Sequence, residues 1–183
     1  LVDTIRQSIP DHVNLPVGYQ TEVHIHARGF IKTLSEMLAK SACAAAILID
    51  YGFPAHEYYH PDRSAGTLMC HFRHRGHDDP FFLPGLQDIT AHVNFTGMAQ
   101  MASDHGLDVI CYASQASFLL ASGLPDLLSN GSAESGNSRA GQLQAVQKLL
   151  SPAEMGELFK VMVLGHKIEP PAFMLDIDKS GRL

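Results

Sequence analysis

The sequence predicts an α/β domain, and three observations carry that prediction. An apolar stripe of helical period over 27–40 runs straight into a continuous apolar run, Ala44-Ala45-Ala46-Ile47-Leu48-Ile49, which closes on Asp50, Tyr51 and Gly52. A helix followed by a buried strand is the order in which parallel sheets are built. The alternation returns downstream, with a helix at 95–105 leading into a strand at 107–113, and helices at 142–150 and 152–159 leading into a strand at 161–164. The 183 residues suffice for one core, so 1–183 is expected to be a single domain with an inserted loop region at 53–92.

Taken in order, residues 19–26 alternate, with Tyr19, Thr21, Val23 and Ile25 on one face, and predict a short strand. In the helix at 27–40, Phe30, Ile31, Leu34, Met37 and Leu38 form the inward stripe and Lys32, Glu36 and Lys40 the wet side. The run at 44–49 has no polar face, which predicts a strand covered by helices on both sides. Asp50 and Tyr51 then stand at its carboxyl end, where open α/β sheets collect ligands. Thr67 to Arg73 is rich in β-formers and predicts a short strand, with Thr67, Met69, His71 and Arg73 on one face and His74 either pointing the other way or beginning the turn. Asn94 is a good N-cap for the next helix and Gly106 a good residue to end it. The helix at 114–122 is expected to stop at Gly123 and Pro125, and the Ser/Gly/Asn-rich stretch 129–141 to be a mobile loop. Ser151 and Pro152 have the order of a cap and a first helical turn, and the residues after 164 read as a polar tail.

Composition narrows the partners. With 45% hydrophobic and 17% charged residues the chain is of folded, globular type, and a net charge of −6 excludes a nucleic-acid or anionic-membrane surface. No apolar run approaches the ~20 residues that span a bilayer. The first residues, LVDTIRQSIP, lack the pattern of a signal peptide, and the absence of an initiator Met suggests that the chain begins inside a longer protein. Three cysteines, Cys43, Cys70 and Cys111, are odd in number and set in apolar segments, and so read as reduced core thiols of a cytoplasmic protein.

The chemistry concentrates in Gly66 to Asn94. This stretch holds His71, His74, His77 and His92, the acids Asp78, Asp79 and Asp88, and the cations Arg73 and Arg75. Histidines three apart beside carboxylates suit zinc, iron or manganese, yet Gly66, Gly76 and Pro80 break the helix that would give the spacing meaning, so no metal site is assigned. No G-x-S-x-G occurs, and Cys70 and Cys111 lie within apolar strands, which disfavours a Ser or Cys hydrolase. The fifteen glycines never occur as G-x-G, so the chain has neither a dinucleotide fingerprint nor a Walker loop.

The blocks ILIDYGFPAHEYYHPDRSAGTLMCHFRHRGHDDPFFLPGLQDITAHVNFT (47–96), SQASFLLASG (114–123) and MGELFKVM (155–162) come in one order. In that series the chain resembles the MidA-like methyltransferases, relatives of the mitochondrial complex I assembly arginine methyltransferase, over roughly residues 15–183. The resemblance implies the C-terminal part of a Rossmann-like class I methyltransferase sheet with flanking helices, S-adenosyl-L-methionine as cofactor and a protein arginine as acceptor. It places the cofactor-binding loop upstream of residue 1, and the strand ending at Asp50 as the fifth of the family's sheet. Leu107 to Ala113 and Val161 to Leu164 would be its last pair, one of them antiparallel. Asn94 stands where the family commonly carries Asp, which keeps the cap and removes a charge.

On this reading the 66–94 loop forms the acceptor side of the cleft. A carboxylate helps orient a guanidinium, an imidazole takes its proton, and aromatic walls exclude water. Asp78, Asp79 and Asp88 are the candidate acids and His74 and His77 the candidate proton acceptors. Asp50, Tyr51, Phe72, Arg73, Thr90 and His92 are expected to line the substrate. The partner would be a protein substrate, in the cytoplasm of a bacterium or the mitochondrial matrix of a eukaryote. Two other readings are a non-catalytic assembly or interaction protein and a His/Asp metal-dependent hydrolase.

Overall fold

The computed structural model describes residues 2–130 and 136–183. In chain order, α1 (Val2–Ser8) and a 3-10 helix (His12–Asn14) lead to α2 (Ile25–Leu38), β1 (Ala44–Phe53) and the short α3 (Ala55–Tyr58). Next come β2 (Met69–Phe72), β3 (Arg75–His77), β4 (Asp88–Thr90), β5 (Val93–Asn94) and α4 (Phe95–Asp104). The chain closes with β6 (Asp108–Ser114), α5 (Gln115–Ala121), α6 (Leu124–Asn130), α7 (Gly136–Leu150), β7 (Phe159–His166), α8 (Ala172–Ile177) and a 3-10 helix (Ser180–Arg182).

The main sheet has the order β5-β1-β7-β6. β1 runs parallel to β5, whereas β7 lies between β1 and β6 and is antiparallel to both. A second sheet, β3-β2-β4, is built wholly from the excursion after α3. The chain is therefore α/β, with the reversed last strand that the family resemblance implies. Gly52 makes the β1–β5 pairing possible, because a side chain there would run into the Val93 backbone.

One face of the main sheet packs against α2 and α4 through Ile31, Phe95, Ala102, Tyr112, Met162 and Leu164. The other packs against α5 and α8 through Cys111, Ala113, Val161, Val163 and Met174. The Ile, Leu, Val, Phe and Met side chains among them contribute about 1.5–3 kcal/mol each by leaving water, and the alanines less. Asn94 caps α4 as predicted, its side-chain oxygen accepting from the Gly97 N–H at 3.1 Å.

Several expectations need correcting. Residues 19–24 form no strand, because their backbone is engaged by a loop: the Gln20 N–H donates to the Ser64 carbonyl (2.9 Å), and helix α2 already begins at Ile25. On α2 the buried stripe is rotated, leaving Phe30 and Met37 exposed and burying Ser35, whose hydroxyl is satisfied by the Ile31 carbonyl at 2.8 Å. β1 is not covered on both faces. Ile47 and Ile49 are 54% and 51% exposed, since α5 and α8 reach β6 and β7 but stop short of β1. Asp50 and Tyr51 lie inside β1, which continues to Phe53.

Pro125 falls inside α6, in a first turn where its missing N–H costs nothing. Of the expected mobile loop, 131–135 lie outside the described residues and 136–141 belong to α7. Residues 152–158 make turns instead of a helix: the Gly156 N–H reaches the Ser151 carbonyl (2.8 Å) and the Met155 N–H the Lys148 carbonyl (3.3 Å). The polar tail is in fact a packed segment, with Met174 buried and the Tyr112 N–H donating to the Asp178 carboxylate at 2.8 Å. Cys43 is exposed, while Cys70 and Cys111 are buried as expected, burial pushing the Cys111 thiol up to about 11.

Candidate functional site

The predicted residues divide between two places. One is the outer sheet. There β2 and β3 join through a turn in which Arg73 and His74 both take positive φ (49° and 63°), so of the two positions open to His74 it takes the one in the turn. Arg73 lies over the Phe72 ring, 5.4 Å from its centroid. Asp88 on β4 faces His71 across the ladder, and the Thr90 hydroxyl donates to the Met69 carbonyl at 3.1 Å.

His77 is half-buried with its edge toward Phe82, ring centroids 5.2 Å apart. Its Nδ1 accepts from the Asp79 N–H (3.3 Å), and its Nε2 is buried without a partner. Asp79 also accepts from the Phe81 N–H at 2.9 Å, a local turn bond of the kind short acids make in loops. Asp78, Asp79 and Asp88 are all exposed, and none pairs with Arg73 or Arg75 among the described residues. Among the described residues no three His, Cys, Asp or Glu side chains converge as metal ligands.

The other place is the carboxyl end of β1, which collects Asp50, Tyr51 and His92. The His92 ring stacks on Phe53 (5.1 Å, 9°) and meets the Tyr51 ring edge-on at 5.0 Å, while Tyr51 also meets Phe159 at 5.5 Å. The Arg63 guanidinium lies 4.3 Å from the centre of the Phe53 ring. Burial, and then Arg63, hold His92 below the ordinary histidine value, so a neutral imidazole is favoured there. Its Nδ1 is buried without a partner.

Beside this end lies a polar knot that sequence reasoning missed. The Glu22 carboxylate accepts from the Thr67 N–H (2.9 Å to Oε1), the Leu68 N–H (2.8 Å), the Thr67 hydroxyl (3.1 Å) and the Tyr58 hydroxyl (2.9 Å). Burial by itself would raise its pKa, but those hydrogen bonds outweigh burial and hold the carboxyl below its ordinary value. Tyr58 is fully buried, its phenol raised by that burial, and its hydroxyl also lies 3.3 Å from His24 Nε2. Burial lowers His24, against a weaker pull upward from Glu22. The Thr67 hydroxyl has a second connection, accepting from the His92 backbone N–H at 3.0 Å. A cavity of about 430 Å³ opens next to the knot, lined by His24, Arg28, Tyr59, Asn94, Gln100 and Asp104 among others. No sequence signal pointed to Glu22; in the structure the positive φ of Gly66 and its missing side chain let the carboxylate approach.

The chain is similar to several known proteins. A family model described as "Putative S-adenosyl-L-methionine-dependent methyltransferase" matches residues 2–113. Protein arginine methyltransferase NDUFAF7, mitochondrial, of Danio rerio is 31% identical over 145 residues, which cover 76% of this chain and 31% of that protein. A crystal structure of an uncharacterized ACR, COG1565 superfamily protein from Burkholderia thailandensis covers 100% of the chain at 44% identity and a TM-score of 0.89. A COG1565 superfamily member from the same organism, bound to S-adenosyl-homocysteine, does so at 44% identity and 0.86. The chain spans 47% and 46% of those two, so it is less than half the length of each relative.

Proposed function

The chain belongs to the S-adenosyl-L-methionine-dependent methyltransferase family of MidA-like proteins, and on that premise we propose that it supplies the acceptor side of methyl transfer to a protein arginine. The reading is supported by the 31% identity to a protein arginine methyltransferase, together with the match, at 44% identity and over 100% of the chain, to a relative bound to S-adenosyl-homocysteine. The donor cradle itself does not fit the described residues. No two glycines stand at G-x-G spacing, and the carboxyl end of β1 carries Asp50, Tyr51, Gly52 and Phe53 instead of a glycine-rich turn into a helix. The donor would belong to the part of the relatives that this chain does not span.

A guanidinium arrives charged, gains a methyl group on nitrogen, and must release one proton. Asp78, Asp79 and Asp88 are open carboxylates able to hold the charge, and His74 and His77 are proposed to take the proton. Tyr51, Phe72 and His92 wall the acceptor, while Asp50, Arg73 and Thr90 orient its backbone. The single-domain reading, with 53–92 as an insertion, accommodates this arrangement, because the excursion lies next to the strand ends. We place the protein in the bacterial cytoplasm, or in the mitochondrial matrix of a eukaryote; no helix of the described residues is long and apolar enough to cross a membrane.

The test is alanine at Asp78 and at Asp88 in the protein that also carries the donor-binding half, with methylated arginine quantified by mass spectrometry. A fall of about 10²-fold in either variant is expected for a group that stabilises developing charge. Activity unchanged in both would remove these acids from the site. The same experiment tests the reading of the chain as a non-catalytic interaction module. In that case no arginine methylation appears in any variant, wild type included.

A further inference from the structure

The Glu22 carboxylate is saturated with hydrogen bonds and has no part in the acceptor chemistry. Glu22 ties together segments far apart in the chain: its own approach to α2, Tyr58 on α3, and Thr67 and Leu68 at the entry to β2. Through the Thr67 hydroxyl it reaches the entry to β5, where the His92 N–H donates. These are the two points at which the outer sheet leaves and rejoins the main body. Gly66 is part of the device, since its φ of 75° suits glycine and a side chain there would collide with the Glu22 carboxylate.

We propose that Glu22 is a positioning residue of the acceptor site: acting through Thr67, it fixes the His92 imidazole against Phe53 and Tyr51 and anchors the outer sheet at both ends. The inference rests on the reading of this end of the sheet as the acceptor side, but its geometry stands apart from that reading. Glu22 does not itself touch the acceptor, because Thr67, Leu68 and Tyr58 already occupy its lone pairs. A threonine hydroxyl has one proton and two lone pairs. Donating to Glu22 leaves Thr67 free to accept from His92, and the carboxylate thereby determines the direction of the whole chain. The charged groups facing His92 are Arg63, Glu22 and Asp50.

Two variants separate positioning from simple stapling. Glu22→Gln keeps the shape but brings an NH2 group against N–H donors. Thr67→Val removes the hydroxyl and leaves the Glu22 bonds to the Thr67 and Leu68 backbone in place. In the 183-residue chain, amide hydrogen exchange and the NMR titration of the His92 ring are read for both. With Glu22→Gln, exchange at 67, 68 and 92 is expected to speed up by about tenfold or more, and the His92 titration to move further down, because the Glu22 charge that pulls it up is lost. With Thr67→Val, only residue 92 should exchange faster, the His92 titration should move in the same direction, and Thr67→Ser should restore both. The idea is overturned if His92 exchange and titration stay at wild-type values while 67 and 68 exchange faster, since Glu22 then only closes a turn. In the protein that carries the donor-binding half, KM for an arginine peptide should rise about tenfold in Glu22→Gln with S-adenosylmethionine affinity unchanged. If wild type methylates nothing, the acceptor reading fails, and the exchange and titration results still decide the role of Glu22.

Discussion

Two polar clusters of this molecule contrast in almost every respect. The first, His71 to Asp88, is dense in sequence and spread out in space: its acids are exposed, His74 occupies a hairpin tip, and its hydrogen bonds are local. The second, Glu22 with His24, Tyr58, Thr67 and His92, is scattered over 71 positions of sequence and converges on one carboxylate and the two hydroxyls of Tyr58 and Thr67. Crowding along a chain costs nothing, because a loop lets each group face water. Convergence from separate elements must be held by packing, and Tyr58, which is fully buried, is the anchor that holds it.

The contrast can be broken most sharply by stability. Replacing Glu22 with alanine strands the Thr67 and Leu68 N–H groups, while the Tyr58 hydroxyl keeps His24 and the Thr67 hydroxyl within reach, and is expected to cost about 3 kcal/mol. Alanine at Asp78 or Asp88, which leaves nothing buried without a partner, should stay within about 0.5 kcal/mol. Urea unfolding midpoints of the three variants compare them directly, and equal midpoints would erase the distinction. A smaller effect is expected at Gly66. Alanine there meets both the positive φ and the Glu22 carboxylate, for about 2 kcal/mol, and a Gly66→Ala chain as stable as wild type would show that the knot is loose.

The mildest effect is pH dependence. Burial holds His24 and His92 below the ordinary 6.5, so the unfolded chain takes up protons that the folded chain refuses. Their contribution is complete above the ordinary value and declines as pH falls from there toward the folded values. Glu22 is held below 4.5, so its contribution persists to more acid pH and disappears only as pH drops through its folded value. Thermal melts should show Tm falling between about pH 7 and pH 5, with the fall reduced in the His24→Gln, His92→Gln double variant. A slope that the double variant leaves intact would assign the pH dependence to the other histidines.

Much of the fold was legible because it depends on local rules. The apolar run 44–49, the Asn94 cap and the runs at 107–113 and 161–164 are set by period and by capping chemistry, and all four reappear in β1, α4, β6 and β7. The family blocks carried the reversed last strand, which no periodicity could reveal. What failed depended on neighbours. The alternating stretch 19–26 has the pattern of a strand, yet the backbone of Gln20 is engaged by Ser64 and the Glu22 side chain by Thr67 and Leu68. The run 44–49 has the composition of a strand buried on both faces, but burial is decided by whether a helix reaches it, and Ile47 and Ile49 remain open.

By itself, then, the sequence determined the class of the domain, the order of its main elements and the family, because pattern, cap and motif are properties of contiguous residues. Only the tertiary structure decided which polar groups meet. Glu22 and Thr67 are 45 positions apart, and Thr67 and His92 another 25. Their contact exists because α3 and the entries to β2 and β5 pack around one buried tyrosine, a relation between distant residues that the pattern of neighbouring ones does not encode.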